Sequence, residues 1–253
     1  MLRFSPVWLR CVCLALATAS SSLPQPFSTG ETLSYGIEWR LIAAGTARLS
    51  LVPQKRTQAP EWESKLHIES AGLVSKLYKL DDTYRVEMLD QFCAASSQLD
   101  AMEGKRHHET KVTYDKSARK ATYLERDVLK NTVFKSAETE IPACVSDVIG
   151  GLYKLRSMHL EPGQSGQILL SDGKKSVSAR VEAQEREEIT TKSGKYKTVC
   201  YEAFVFNGVL FKKNARLQIW LTDDARKLPV QLRARMPFPI GSITFQLEKE
   251  ERS

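Results

Sequence analysis

No stretch of this 253-residue chain approaches the roughly 20 consecutive apolar residues that a membrane-crossing helix needs, which excludes a permanent helical span from the reading. The glycine patterns that cradle phosphates are missing as well. Neither G-x-x-x-x-G-K nor G-x-G-x-x-G occurs, so no nucleotide cofactor is implied. Histidine is scarce, at four residues. His67-Ile68-Glu69 has the H-x-E spacing of zinc deaminases but no downstream P-C-x-x-C to hold the metal. His107 and His108 are adjacent, and on a strand adjacent side chains point to opposite faces, so they do not converge on one ion. "GQSG" at 163–166 lacks the spacing of a nucleophile elbow and reads as a turn. Asp223-Asp224 sits in a polar turn that solvates both carboxylates, whereas acid–base work needs environments that push two pKa values apart. No metal, cofactor or catalytic residue is therefore assigned, and the reading favours a non-enzymatic protein.

What is present begins with "MLRFSPVWLRCVCLALATASSS". Arg3 and Arg10 precede a short apolar run, and small residues follow up to Ala19, the layout of a secretory signal peptide. We expect a signal peptide over 1–19, a spacer over 20–26, one β-rich domain over 27–250, and a periplasmic or secreted location. Loss of the leader lowers the formal charge of +7 by two, and the remaining basic residues are interspersed with acids, so a nucleic-acid partner is not expected. Of five cysteines, Cys93, Cys144 and Cys200 remain in an oxidising compartment. Three single-bridge pairings are open. Cys93 with Cys144 is favoured because each stands at a break between elements, while Cys200 lies inside a strand pattern and reads as a buried thiol.

Alternation of period two dominates the chain. Leu33, Tyr35, Ile37 and Trp39 share one face of a first strand, and Ala43-Ala44-Gly45 is the expected reversal into "TARLSLV". Leu73, Leu77 and Leu80 are spaced as a short helical turn before a strand through Tyr84, Val86 and Met88. Further strands follow between polar turns, with hairpins expected at Asp172-Gly173, Ser193-Gly194 and Pro239-Ile240-Gly241. One substantial helix is expected, in "SDVIGGLYKLRSMHL", with Ser146 as its cap, Asp147 complementing the positive helix end, and adjacent glycines for close packing on a strand or a kink. The expected fold is mainly β: a curved antiparallel meander or partial barrel with one principal helix packed on it. Asp147, Tyr153 and Arg156 on that helix, together with Trp220, form the candidate ligand-binding group.

Four segments in order, "FSTGETLSYGIEWRLIAAGTARLSL", "CVSDVIGGLYKLRSMHLEPGQ", "DGKKSVSARVEAQEREEITTKSGKYKTV" and "GVLFKKNARLQIWLTDDARKLPVQLRARMPFPIGSITFQLE", span nearly all of the mature chain. They resemble the bacterial family catalogued as domain of unknown function 3108. The resemblance implies a secreted or envelope protein of a Gram-negative-like bacterium and carries no catalytic or binding residues across. The function expected from these readings is an exported cell-envelope protein that binds an apolar or amphiphilic, lipid-like ligand between sheet and helix. An envelope assembly or interaction module without a small-molecule ligand is the alternative, and a hydrolase without a linear motif the third reading. A lipid or an envelope protein is the expected partner.

Overall fold

A computed structural model describes residue 27 and residues 30–54, 61–204, 216–236 and 241–252. The expected signal peptide and spacer, and most of the expected Pro239–Gly241 turn, lie outside the described residues. The first half of the chain forms eight strands: β1 Glu31–Trp39, β2 Ile42–Pro53, β3 Trp62–Ser70, β4 Leu80–Met88, β5 Ala94–Glu103, β6 Arg106–Asp115, β7 Lys120–Asp127 and β8 Thr132–Glu140. A short helix α1, Gly72–Leu77, interrupts β3 and β4. The principal helix α2, Val148–Ser157, leads to the second half: β9 Ser165–Ser171, β10 Ser176–Thr191, β11 Gly194–Phe204, β12 Arg216–Thr222, β13 Pro229–Met236 and β14 Gly241–Arg252.

All fourteen strands belong to one antiparallel sheet in the order β8-β7-β6-β5-β4-β3-β2-β1-β14-β13-β12-β11-β10-β9. The first and last strands meet at its centre, where β1 pairs with β14 from Glu31–Arg252 to Trp39–Ile243. The period-two pattern explains which face turns inward: along β1, Glu31, Leu33, Tyr35 and Ile37 are buried and their neighbours are not. The main core fills the concave face and includes Leu33, Leu51, Met88, Tyr201, Leu221 and Leu247.

The sheet curls into a barrel that strand pairing does not close, since the edge strands β8 and β9 share no ladder. A strap from the end of β8 to α2 spans the gap instead. On one side the Ala94 N–H donates to the Val145 carbonyl at 2.8 Å. On the other, Ser146 N–H donates to Leu169 O and Ser171 N–H to Ser146 O, both at 2.9 Å. Ile141 and Val145 of the strap cover a second, smaller core with Val112, Tyr114 and Tyr123. Cys93 and Cys144 form the expected disulfide, with Cα atoms 5.1 Å apart, and fasten the strap to the β4–β5 connection. Cys200 is a buried free thiol, and its burial pushes its pKa up to about 12.

Two local expectations are corrected. The first reversal falls at Arg40–Leu41, both with positive φ (48° and 71°), and not at Ala43-Ala44-Gly45, which lies within β2. Those small residues serve a bulge opposite Ile37 and Glu38, where a Cβ on Gly45 would stand 2.1 Å from the Glu69 carbonyl oxygen. The cap of α2 is Asp147 and not Ser146. Asp147 accepts from the Gly150 and Ile149 amides at 2.8 and 3.2 Å. The Ser146 hydroxyl is already committed to the Phe92 carbonyl at 2.9 Å.

Candidate functional site

Helix α2 divides the interior. One side of it packs on aromatic rings: Tyr153 stacks on Phe92 with centroids 5.5 Å apart and meets Phe27 edge-on at 5.4 Å. Its other side, with Val148, Ile149, Gly151, Leu152 and Leu155, faces a cavity of about 250 Å³. Beyond the helix, fifteen residues of nine strands line this space, among them Leu49, Leu66, Ile68, Ile168, Val181, Ile219, Leu232 and Phe245. Four alanines at inward positions, Ala47, Ala179, Ala203 and Ala234, leave it room. The adjacent glycines of α2 let the helix sit close. A Cβ on Gly150 would meet the Phe92 carbonyl oxygen at 2.8 Å, and one on Gly151 the Leu170 side chain at 2.6 Å.

Among the described residues, the only polar side-chain group on the lining is the Tyr35 hydroxyl, which donates to the Pro229 carbonyl at 2.9 Å. Burial holds its pKa far above the usual phenol range, so it stays a neutral donor. The partly exposed lining residues Leu66, Ile68, Leu217, Leu232, Phe245 and Val148 mark where the cavity approaches the surface.

None of the four candidate ligand-binding residues lines this cavity. Asp147 is buried at the helix start, where it also accepts from the Tyr84 hydroxyl at 2.9 Å. Desolvation raises its pKa, and the Gly150, Tyr84 and Ile149 hydrogen bonds oppose that rise. Arg156 is fully buried and anchors the helix end. It forms a bidentate pair with Glu31, donates to the Lys227 and Arg226 carbonyls at 2.9 and 3.3 Å, and lies over the Phe27 ring at 4.6 Å. Tyr153 is buried between these groups. Trp220 stands on the opposite sheet face, beneath Arg233, because alternation along β12 gives the inward positions to Leu217 and Ile219. The first three thus fix the helix that floors the cavity. The cavity lining escaped the sequence reading, and the inward alanines were the signal that could have revealed it.

The other polar motifs are absorbed in the fold. His67 pairs with Asp81 at 2.9 Å and His107 with Asp100 at 2.7 Å, whereas His108 packs on Phe134. Asp223 pairs with Arg186, and Asp224 accepts from Thr222 and Arg226.

At one end of the sheet the connections expose large apolar side chains. The β1–β2 turn presents Leu41 and Ile42, and α1 with its exit presents Leu73, Leu77 and Tyr78. Met102 precedes the β5–β6 turn, Leu129, Val133 and Phe134 surround the β7–β8 turn, and Phe204 ends β11. These are ten of the fourteen exposed large hydrophobic residues among the described ones.

A family model described as "Protein of unknown function (DUF3108)" matches residues 34–248. No curated protein matches the chain. Among solved structures, it is similar to a crystal structure described as a beta-barrel-like protein of domain of unknown function DUF1849 from Brucella abortus. The TM-score is 0.58 at 8% identity, over 89% of this chain and 98% of that one. A duf1089 family protein from Pseudomonas aeruginosa matches at TM-score 0.30 and 12% identity, over 91% of this chain and 94% of that one, and carries no argument.

Proposed function

The chain belongs to the DUF3108 family, whose description assigns no activity, and from its interior we propose that it is a non-enzymatic, exported carrier or sensor of an apolar or amphiphilic molecule. The observation that supports this reading is the cavity between sheet and α2: about 250 Å³, with one polar side-chain group on its lining and that group already hydrogen-bonded. An engineered apolar cavity of about 150 Å³ takes up benzene, and small-molecule pockets start near about 300 Å³. The space therefore suits a stretch of acyl chain or one small apolar ring. General acid–base chemistry on a bound ligand would need a titratable group on the lining, and Tyr35 is held neutral. The assembly-module alternative predicts a filled interior together with an exposed apolar patch or unpaired edge; the cavity speaks against the first, and the apolar end of the sheet accords with the second.

The test is uptake of the fluorescent fatty acid cis-parinaric acid, with native mass spectrometry of the purified protein. Saturable binding that Ala47→Phe and Ala179→Phe abolish, while circular dichroism stays unchanged, supports the reading. Absence of probe binding together with bare protein in the mass spectrum overturns it.

A further inference from the structure

Beyond the cavity, we propose that the end of the sheet carrying the β1–β2, β3–β4 and β5–β6 connections docks on a lipid surface with anionic headgroups. In an up-and-down meander, alternate connections lie at the same end, so these three and the β7–β8 turn share one rim. The first three are contiguous. The Ala71 N–H of the α1 segment donates to Ala44 O of β2 at 2.8 Å, and the Tyr78 hydroxyl after α1 donates to Glu103 of β5 at 3.3 Å.

Two properties of this rim coincide. The first is apolar exposure at the tips, where Leu41 is 91%, Leu77 75% and Leu73 62% exposed. Leu41 is displayed in spite of its positive φ, a conformation that glycine or asparagine adopts more readily, and unusual backbone of this kind is a pointer to function. Helix α1 has no buried residue, so its leucines do not serve the core. The second is charge. The connecting residues 40–41, 71–79, 104–105 and 128–131 contain Arg40, Lys76, Lys79, Lys105 and Lys130 and no acid, and of the acids that adjoin them at the strand ends Asp127 pairs with Lys130 and Glu103 accepts from Tyr78. At the opposite end of the same strands, 89–93 and 116–119 mix Lys116 and Arg119 with Asp90, and among the described residues only Val52 there is an exposed large hydrophobic.

Apolar tips alternating with cations match an interface in which side chains enter the acyl boundary and ammonium groups remain among phosphates. A protein partner would instead need a packed apolar centre with charges at its margin, and here cations alternate with leucines along the chain, as in Arg40-Leu41 and in Leu73, Lys76, Leu77 and Lys79. The cavity draws its lining largely from strand residues nearer this rim, such as Ile68, Ala203, Leu217 and Phe245. A ligand would then enter or leave at the lipid surface. Docking is nevertheless separable from cavity binding, because either can fail without the other.

Co-sedimentation with vesicles of phosphatidylcholine and phosphatidylglycerol in equal parts tests the proposal, with phosphatidylcholine alone for comparison. The full chain and all variants carry the same N-terminal segment, so its contribution cancels. We expect binding to the mixed vesicles at least about tenfold stronger than to phosphatidylcholine, weakening as sodium chloride rises from about 0.1 M to about 1 M and the Debye length falls from about 10 Å to about 3 Å. Leu41→Asn/Leu73→Ser/Leu77→Ser and, separately, Lys76→Glu/Lys105→Glu should each abolish the difference while retaining the probe uptake of the parent. Lys116→Glu/Arg119→Glu, at the opposite end, should leave it intact. Equal binding by rim and opposite-end variants, no preference for the anionic vesicles, or rim substitutions that only dissolve a dimer of this chain in sedimentation velocity would each overturn the proposal.

Discussion

Replacing one member of the Glu31–Arg156 pair should cost more stability than any single surface change. Both side chains are buried, and the guanidinium is further held by two carbonyls and an aromatic face. Leaving one charge of such a pair uncompensated costs about 3–5 kcal/mol. Glu31→Gln keeps an acceptor near the guanidinium and should fall near about 3 kcal/mol. Arg156→Met strips both bonds from Glu31 and two carbonyls of their donor, and should fall near about 5 kcal/mol. For a protein of this size about 1 kcal/mol shifts Tm by about 2–4 °C, so even the milder variant should melt about 6–12 °C lower. The double variant Glu31→Leu/Arg156→Met removes both charges together and should recover most of the loss, since apolar replacement of a buried pair is often neutral. With Glu31→Leu as the matching single, equilibrium urea unfolding of the parent, Glu31→Leu, Arg156→Met and the double variant closes the cycle. As a reference, Arg48→Ala at the exposed Arg48–Glu251 pair should cost under about 1 kcal/mol. Single-variant losses below about 1 kcal/mol, or a double variant whose loss equals the sum of the singles, would refute the claim that this pair fixes the helix end.

Three other outcomes are expected. The Cys93–Cys144 bridge spans 51 residues of chain, so Cys93→Ser/Cys144→Ser should lower stability by about 4 kcal/mol; an unchanged urea midpoint would contradict this. The two glycines of α2 should behave differently, because an alanine gains up to about 1 kcal/mol of helix propensity. Gly150→Ala presses on a backbone carbonyl and should destabilise by about 1–3 kcal/mol, whereas at Gly151 the flexible Leu170 end can turn into the cavity and the change should be close to neutral; the reverse order in thermal melts would sink the argument. Finally, desolvation and the neighbouring Glu103 raise the Asp82 pKa to about 6. The folded state therefore holds its proton more tightly than the unfolded chain does, and stability falls as pH rises from about 4 to about 6. Asp82→Asn should raise Tm above pH 6 and lose that advantage below pH 4; a pH-independent difference would exclude Asp82 as the cause.

The legibility of this chain follows the range of the interactions involved. Period two is local, so the strands, the single principal helix and the open antiparallel meander could be read directly, and the pairing of Cys93 with Cys144 followed from breaks between elements. The first turn was misplaced because Ala43-Ala44-Gly45 has the composition of a reversal, yet its smallness answers the approach of the Glu69 backbone, 24 residues away from Gly45 in sequence. Asp147, Tyr153 and Arg156 drew attention as polar groups on an amphipathic helix, but a charge on a buried helix must first be satisfied, and Tyr84 does so for Asp147 while Glu31 and two carbonyls of the β12–β13 turn do so for Arg156. Glu31 gave no warning of this role, because it occupies an inward position of β1 that alternation assigns to apolar residues. The cavity depends on longer-range information still. It exists where inward alanines from β2, β10, β11 and β13 face the same side of α2, and no one strand shows that their missing volumes coincide. Such coincident small residues cost packing energy, and a fold that fastens its helix with a buried ion pair, a disulfide-anchored strap and a capped N-terminus keeps that space open without collapsing into it.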